Sequence, residues 1–160
     1  MLETKQIEPK KVVSGSFKTT LKTMNDAVNP FIERLMTDLE SAGFKPSGPM
    51  EFIYKGATSD VDKTFVLEIA QPVSGESESG NLSQFELREI PKLTCVSYFY
   101  KGKMDKIMDA YNDLFGEMAK EGLKPTDEVR EVYQNWVSLS SDQNIVEIQI
   151  GIDPIHEPAR

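Results

Sequence analysis

The chain contains few of the side chains that usually carry enzyme chemistry or hold metals. Its 160 residues include one cysteine, Cys95, and one histidine, His156. One cysteine cannot form an internal disulfide, and Cys95 with His156 alone cannot complete a zinc site. His156 lies in the proline-flanked tail DPIHEPAR, where we expect it to be exposed and idle, so no Ser/His/Asp set is expected. The sequence predicts no metal and no cofactor, and it predicts that Cys95 is a small strand residue.

The chain also lacks an apolar run long enough to cross a membrane. Its first residues, MLETKQIEPKK, are too charged for a signal peptide. These two absences favour a cytoplasmic protein with no membrane partner. Positive charge is scarce, because 18 Lys+Arg stand against 26 Asp+Glu, for a formal net charge of -8. Such a surface repels nucleic acid phosphate, so we expect no direct nucleic acid binding.

The chain consists of two similar halves. AGFKPSGPMEFIY (42–54) aligns without a gap with EGLKPTDEVREVY (121–133), at a shift of 79 residues. The same shift places VLEI (66–69) on IVEI (145–148). One frame that holds across a helix end, a turn and a strand indicates duplication.

The order of elements is the same in both halves. VSGSFK (13–18) aligns with VSYFYK (96–101) at a shift of 83, and each segment is a strand candidate. An amphipathic helix follows each, with Asn25 or Asp26 as the expected N-cap of the first helix. Two more strand candidates follow each helix: MEFIYKG and KTFVLEIAQ, then EVREVYQNWVSL and NIVEIQIGI. The unit is therefore β-α-β-β, present twice.

Both helices carry a stripe of buried-type side chains that we assign to the core. In the second half this stripe contains Tyr111 between aliphatic residues. Gly43 ends the first helix and Gly122 ends the second.

The fold class expected from this pattern is α+β. A length of 160 residues suits one domain covering 1–160, with pseudo-repeats at about 8–72 and 90–153. The linker, about 73–89, is rich in Ser, Gly and Glu, and we expect it to be flexible. Neither half has much core alone, so both helices should cover one face of a shared antiparallel sheet. A pseudo-twofold axis should relate the repeats, with a ligand groove between them.

The strand EVREVYQ suggests a binding function for this groove. Glu131 and Tyr133 are two residues apart and share one face of the strand. Tyr98 and Tyr100 share a face of another strand. Aromatic faces suit flat apolar molecules, and a carboxylate suits a positive charge, so the combination favours a hydrophobic cation. The candidate ligand-binding residues are Glu131, Tyr133, Tyr98, Tyr100, Tyr54, Trp136, Glu147 and Glu68.

Five of these candidates also have an ordinary structural role that would explain them. Tyr98 and Tyr100 suit any strand, and Trp136 suits a core. Glu68 and Glu147 suit the polar positions of half-buried strands.

The second half resembles the GyrI-like small-molecule-binding domain, the effector-binding domain of AraC-type and MerR-type regulators, with a SOUL-like fold. The resemblance rests on the step Ile90–Pro91, the turn from Tyr100 to Gly102, and the Glu-x-Tyr motif at Glu131. In the first half, Gly48, Pro49 and Tyr54 are similar to the family's "GP…Y" segment. No helix-turn-helix precedes the first strand candidate, so the chain is similar to stand-alone members.

The resemblance implies tandem β-α-β-β units with a pocket between them, in which the strand glutamate meets cationic, often aromatic ligands. Small-molecule binding for sensing, sequestration or multidrug resistance in a bacterium is then the favoured function. Two alternatives remain open. One is hydrolysis of cyclopropane-containing or similar electrophilic compounds, with Glu131 as the catalytic residue. The other is a protein-partner role such as modulation of DNA gyrase.

Overall fold

The computed structural model describes residues 2–74 and 81–153. Within them, two helices span α1 (Met24–Ser41) and α2 (Ile107–Lys120), and a short 3-10 turn (Met104–Lys106) precedes α2. Nine strands form the rest: β1 (Glu3–Ile7), β2 (Lys10–Thr19), β3 (Lys45–Pro46), β4 (Glu51–Lys55), β5 (Phe65–Ser74), β6 (Glu86–Ile90), β7 (Leu93–Lys101), β8 (Pro125–Asn135) and β9 (Ile145–Ile152).

The expected α+β fold is confirmed, with a few differences in the elements. All six predicted strands are present, whereas β1, β3 and β6 were not anticipated, and β6 occupies the end of the predicted linker. Residues 75–80 of that linker and His156 lie outside the described residues, so the expectations for them stay predictions. The N-cap of α1 is Thr23 rather than Asn25 or Asp26, and its side chain makes no capping hydrogen bond.

Glycines end both helices as expected, because each adopts a backbone conformation that other residues avoid. Gly43 has a φ of 88° and Gly122 a φ of 73°. A positive φ places the chain in the left-handed region, which turns it away from the helix axis towards the next strand.

The strands form one antiparallel sheet whose two ends lie side by side. The order of the strands is β1-β7-β9-β8-β4-β5-β2-β6, with β3 attached to β5. β1 lies at one end of this order, yet only Glu8 and Pro9 join it to β2 near the other end. Pro91 and Lys92 join β6 to β7 in the same way. Since such a connection spans only about 10 Å, the sheet must curl like a barrel until its ends meet.

The register of the strands shows the pseudo-twofold axis. Three neighbouring pairs between β4 and β8 lie at the centre of the sheet: Glu51↔Val132, Phe52↔Glu131 and Ile53↔Arg130. When each residue is replaced by its equivalent at a shift of 79, the pair Glu51↔Val132 becomes the pair Ile53↔Arg130. The pair Phe52↔Glu131 is converted into itself. The axis therefore passes through the pair Phe52↔Glu131. Where β1 pairs with β7 and β2 pairs with β6, replacing each residue by its equivalent at a shift of 83 converts the pair Glu3↔Ser97 into the pair Ser14↔Glu86. β1 and β6 are therefore equivalent strands.

Both helices cover the outer face of the curled sheet. Side chains of α1 pack with those of β2, β4 and β5 in one core cluster, and side chains of α2 pack with those of β7 and β9 in a second. Val129 and Tyr133 of β8 contact both clusters. Among the described residues, neither helix combines the length and apolar character needed to span a bilayer.

The inner face of the sheet is buried although no helix covers it. Its buried polar side chains include Glu51, Arg130 and Gln149, each at most 2% exposed. Burial of charge in this way requires partners, and Lys10 donates to Glu51 at 2.6 Å while Arg130 donates to Glu128 at 2.7 Å. Curling of the sheet is what removes this face from solvent.

The loop before β6 depends on one buried carboxylate of α1. Asp38 is 6% exposed and accepts hydrogen bonds of 2.9 to 3.2 Å from the backbone N–H groups of Ser83, Gln84 and Phe85. Burial raises the pKa of Asp38, but these hydrogen bonds outweigh burial and hold the pKa below its usual value.

We predict that Asp38→Ala lowers the free energy of unfolding by about 1–3 kcal/mol, because the backbone N–H groups of Ser83, Gln84 and Phe85 lose their acceptor. Urea denaturation at neutral pH measures the change, and Glu40→Ala on the exposed side of α1 is the control. Since the pKa is lowered in the folded state, the stabilisation exists above the unfolded pKa and disappears as the pH falls through the folded value. Equal stabilities for the two variants would contradict this role.

Candidate ligand-binding site

Glu131 lies at the centre of the sheet, on the pseudo-twofold axis and on the outer face between the two helices. Its cross-strand neighbours are the apolar residues Phe52 on β4 and Ile148 on β9. The side chain of Glu131 is only 5% exposed. Within the described part of the chain, no lysine or arginine forms an ion pair with it. The sheet therefore buries a carboxylate among apolar side chains without a positive partner.

Three tyrosine hydroxyls satisfy this carboxylate. Tyr54 and Tyr133 donate to Oε1 of Glu131 at 2.9 and 2.6 Å, and Tyr111 donates to Oε2 at 2.5 Å. We call these four residues the tyrosine cage. Hydrogen bonds to an ionised group are among the stronger ones in proteins, and here they replace the water that burial removes.

The cage combines symmetric and asymmetric positions. Tyr54 on β4 and Tyr133 on β8 are equivalents under the shift of 79, and they approach the axis from its two sides. Glu131 has Phe52 as its equivalent, and Tyr111 has Ile32. Only one repeat therefore supplies the carboxylate and the third hydroxyl, so one charged group, not two, occupies the axis.

The hydroxyls of the cage keep their protons over a wide pH range. Burial raises the pKa values of Tyr54, Tyr111 and Tyr133 well above the usual value of 10.0, and the negative charge of Glu131 raises them further. A tyrosine that ionised here would place a second negative charge beside the first. All three groups consequently act as donors at any physiological pH.

An aromatic rim connects the cage to solvent. The Trp136 ring meets Tyr133 edge to face with centroids 5.8 Å apart, and the Phe115 ring stacks on Tyr111 at 6.3 Å. Trp136 is 48% exposed and Phe115 is 39% exposed. Large aromatic side chains exposed around a polar centre are typical of sites that take up apolar molecules.

The sequence matches the GyrI-like small molecule binding domain over residues 2–153. The chain belongs to this family. A comparison with curated proteins found no match.

Solved structures share the fold of this GyrI-like chain. The EcmrR C-terminal domain is 22% identical with a TM-score of 0.74, and the alignment covers 97% of this chain and 98% of that one. EcmrR in its complex with DNA is 21% identical with a TM-score of 0.76. The alignment covers 97% of this chain and 58% of the EcmrR chain. SAV2435 bound to tetraphenylphosphonium is 11% identical with a TM-score of 0.66, with coverages of 96% and 94%. A hydrolase from Listeria innocua is 11% identical with a TM-score of 0.59, with coverages of 94% and 92%.

Three of the eight residues predicted for the GyrI-like ligand groove meet in the cage, and Trp136 lies at its rim. Tyr98 pairs with Ile148 on the neighbouring strand, and Ile148 in turn pairs with Glu131, so Ile148 lies between Tyr98 and Glu131. Tyr98 is 45% exposed. Tyr100 is buried against α2 and donates its hydroxyl to the backbone oxygen of Lys103. Neither tyrosine belongs to the cage, and a ligand-binding role for them stays a prediction.

Glu68 and Glu147 lie on the inner face, so the structure separates them from the tyrosine cage. Glu68 accepts from Ser14 and Arg88, both at 2.7 Å. Its repeat equivalent, Glu147, accepts from Ser97 at 2.6 Å and Lys5 at 3.1 Å. Burial raises the pKa of Glu147, but the hydrogen bonds from Ser97 and Lys5 outweigh burial and lower it. Their strand positions face the interior of the curled sheet, away from Glu131, and a ligand-binding role for these two glutamates stays a prediction.

Tyr111 is the cage residue that the sequence did not reveal. Its place in the apolar stripe of α2 assigned it to the core, and it is indeed 9% exposed. The shift of 79 contained a signal, because it aligns Tyr111 with the aliphatic Ile32. A lone hydroxyl in an otherwise apolar stripe needs a buried acceptor.

We predict that removing the charge of Glu131 shifts the titration of the cage. In wild type, Tyr54, Tyr111 and Tyr133 should ionise only well above pH 10, and Glu131→Gln should lower their pKa values because the Coulombic contribution is lost. Absorbance at the tyrosinate band during alkaline titration measures this. Glu147→Gln on the inner face serves as the control and should leave the three pKa values unchanged; a folded Glu131→Gln protein with wild-type titration would contradict the coupling.

Proposed function

We propose that this GyrI-like domain binds apolar, cationic aromatic small molecules between its repeats, with Glu131 providing the negative charge. The observation that carries the proposal is a 5% exposed carboxylate with no positive partner among the described residues. Isolated buried charges are costly, and proteins tolerate them where function uses them. A ligand cation would supply the missing partner.

The tyrosine cage suits cations that cannot donate hydrogen bonds. An ionised carboxylate has about four acceptor positions, and the cage hydroxyls occupy three of them. A quaternary phosphonium or ammonium group needs no acceptor, only proximity to negative charge and to aromatic faces. Trp136 and Phe115 at the rim provide such faces beside the cage.

A structural relative supports this ligand class. SAV2435, which shares the fold at 11% identity, is bound to tetraphenylphosphonium, an apolar aromatic cation. The same class is the one that the cage and rim of this chain favour on chemical grounds. Sensing, sequestration and resistance remain equally compatible uses of such binding.

Hydrolysis is the second candidate, and one relative of this fold is a hydrolase from Listeria innocua. Glu131 would act as the general base for a water molecule. Hydroxyls from three tyrosines already engage both of its oxygens, which leaves fewer acceptor positions for a water molecule. The geometry therefore favours binding over turnover. A protein-partner role such as gyrase modulation stays a prediction without a specific observation in its favour.

We predict that Glu131→Gln weakens the binding of a cationic aromatic dye by about 1–3 kcal/mol, the range for a lost charge-assisted contact. A neutral dye of the same shape should bind both proteins almost equally. Fluorescence titration of wild type and variant with the matched pair of dyes measures both effects.

The control variant is Glu147→Gln, which makes the same chemical change on the inner face. It should leave both affinities unchanged. Equal losses for the cationic and neutral dyes in Glu131→Gln, or no loss, would refute the charge recognition. Time-dependent consumption of an electrophilic substrate that requires Glu131 would instead favour the hydrolase.

A further inference from the structure

A second cavity lies at the point where β6 ends beside β2. β6 pairs with β2 from Lys10 to Ser14 only, so in the described residues the next part of β2 has no strand on that side. A cavity of about 550 Å³ occupies this notch. Its lining residues come from β2, β4, β5, α1, β6 and the segment that enters β6: Ser14, Gly15, Ser16, Phe31, Arg34, Lys55, Val66, Glu68, Gln84, Phe85, Glu86 and Arg88. None of the tyrosine cage residues is among them, so the cavity is a separate site.

Part of the cavity wall is aromatic. The rings of Phe31 and Phe85 meet edge to face with centroids 5.2 Å apart. Phe85 lies directly against the backbone of Gly15, where an added Cβ would stand 2.6 Å from the ring. The guanidinium of Arg34 lies 5.6 Å from the centroid of Phe31. A flat apolar group in the cavity would therefore meet aromatic carbon with a positive charge beside it.

The charges of the lining leave an excess of unpaired cations. Arg88 is neutralised by Glu68, with two hydrogen bonds of 2.7 and 2.9 Å. Arg34 and Lys55 form no ion pair with any residue in 2–74 or 81–153. Against these two cations stands one further carboxylate of the lining, the exposed Glu86. This local balance is positive although the chain carries a net charge of -8.

The second repeat shows that the duplicated fold does not require this cavity. The equivalents of Gly15 and Ser16, at a shift of 83, are the bulky Tyr98 and Phe99. Tyr98 and Phe99 are 45% and 51% exposed, so large side chains occupy the corresponding position there.

The charges of the lining change between the repeats as well. The equivalents of Arg34 and Lys55, at a shift of 79, are Asp113 and Gln134. The small residues and the cations thus occur together in one repeat and are both absent from the other. Glu131 likewise occurs in one repeat only.

We propose that this cavity is a second small-molecule site, selective for aromatic anions such as carboxylates. The aromatic wall takes the ring system, and Arg34 and Lys55 provide the positive charge that selects the anion. A volume of about 550 Å³ is within the range of ligand pockets. The domain would then hold two sites of opposite charge preference, one on the axis and one in the first repeat.

Three naphthalene probes of equal ring size test the proposal: 2-naphthoate, neutral 2-naphthylmethanol and 2-naphthylmethylammonium. Titrations followed by amide NMR report both affinity and place. We expect 2-naphthoate to shift the amide signals of Gly15, Ser16 and Phe85, and to leave those of Tyr54 and Glu131 unchanged. The ammonium probe reports on the axial site, so failure of that site leaves the anion result unaffected.

The double variant Arg34→Gln/Lys55→Gln should weaken 2-naphthoate about tenfold or more and reduce its preference over 2-naphthylmethanol. Lys101→Gln/Lys106→Gln removes the same charge from exposed positions of the second repeat and should change nothing. Ser16→Phe introduces the side chain of the second repeat and should block both 2-naphthoate and 2-naphthylmethanol.

Three results would overturn the proposal. The first is wild-type protein that binds 2-naphthoate no better than 2-naphthylmethanol. The second is an equal loss of 2-naphthoate affinity in the two double variants, since that would reflect net charge rather than the cavity. The third is a set of shifted amides confined to the tyrosine cage. Dispersed amide spectra of all variants confirm that each is folded.

Discussion

Closure of the sheet is the constraint on which the rest of the structure depends. β1 with β2, and β6 with β7, form two long bent strands that pair with each other on both sides of the bend, from Glu3 to Ile7 and from Lys10 to Ser14. Pro9 and Pro91 lie at the two bends, where neither needs to donate a ladder hydrogen bond. Because this ribbon belongs to both repeats at once, neither repeat can form its sheet without the other. The two halves therefore share one continuous sheet.

Closure also decides what the two faces of the sheet can contain. The outer face buries apolar side chains under two helices, in the usual manner of an α+β fold. The inner face excludes water by curvature, so its carboxylates need cations and hydroxyls supplied by neighbouring strands. The ion pair of Glu68 with Arg88 meets this need in one half, and the equivalent ion pair of Glu147 with Lys5 meets it in the other. Removing one member of such a pair would leave a buried charge without a partner.

Duplication provided two copies of each position, and the two proposed sites lie where the copies differ. On the axis, one strand contributes Phe52 and the other Glu131, because two carboxylates in adjacent pairing positions would repel each other. Two equivalent tyrosines then converge on one charge. Away from the axis, the repeats diverge in side-chain size and charge around the end of β6. Comparison of a chain with itself thus distinguishes structural positions, which are repeated, from positions that are specialised.

The sequence by itself determined the repeat, the fold class and the choice of Glu131 as a candidate site residue. Periodicity and the internal repeat are visible along the chain, so both helices, six of the nine described strands, Tyr54 and Tyr133 followed from them directly. The faces of the strands did not follow, because alternation separates two faces without stating which is covered by helices and which is enclosed by curvature. Only the tertiary structure decided that Glu68 and Glu147 point inwards, and that Tyr111 reaches Glu131 from a helix 20 residues earlier in the chain. Hydrogen bonds between distant elements depend on how the sheet curls and where the helices lie upon it, and no short-range pattern in the chain records that geometry.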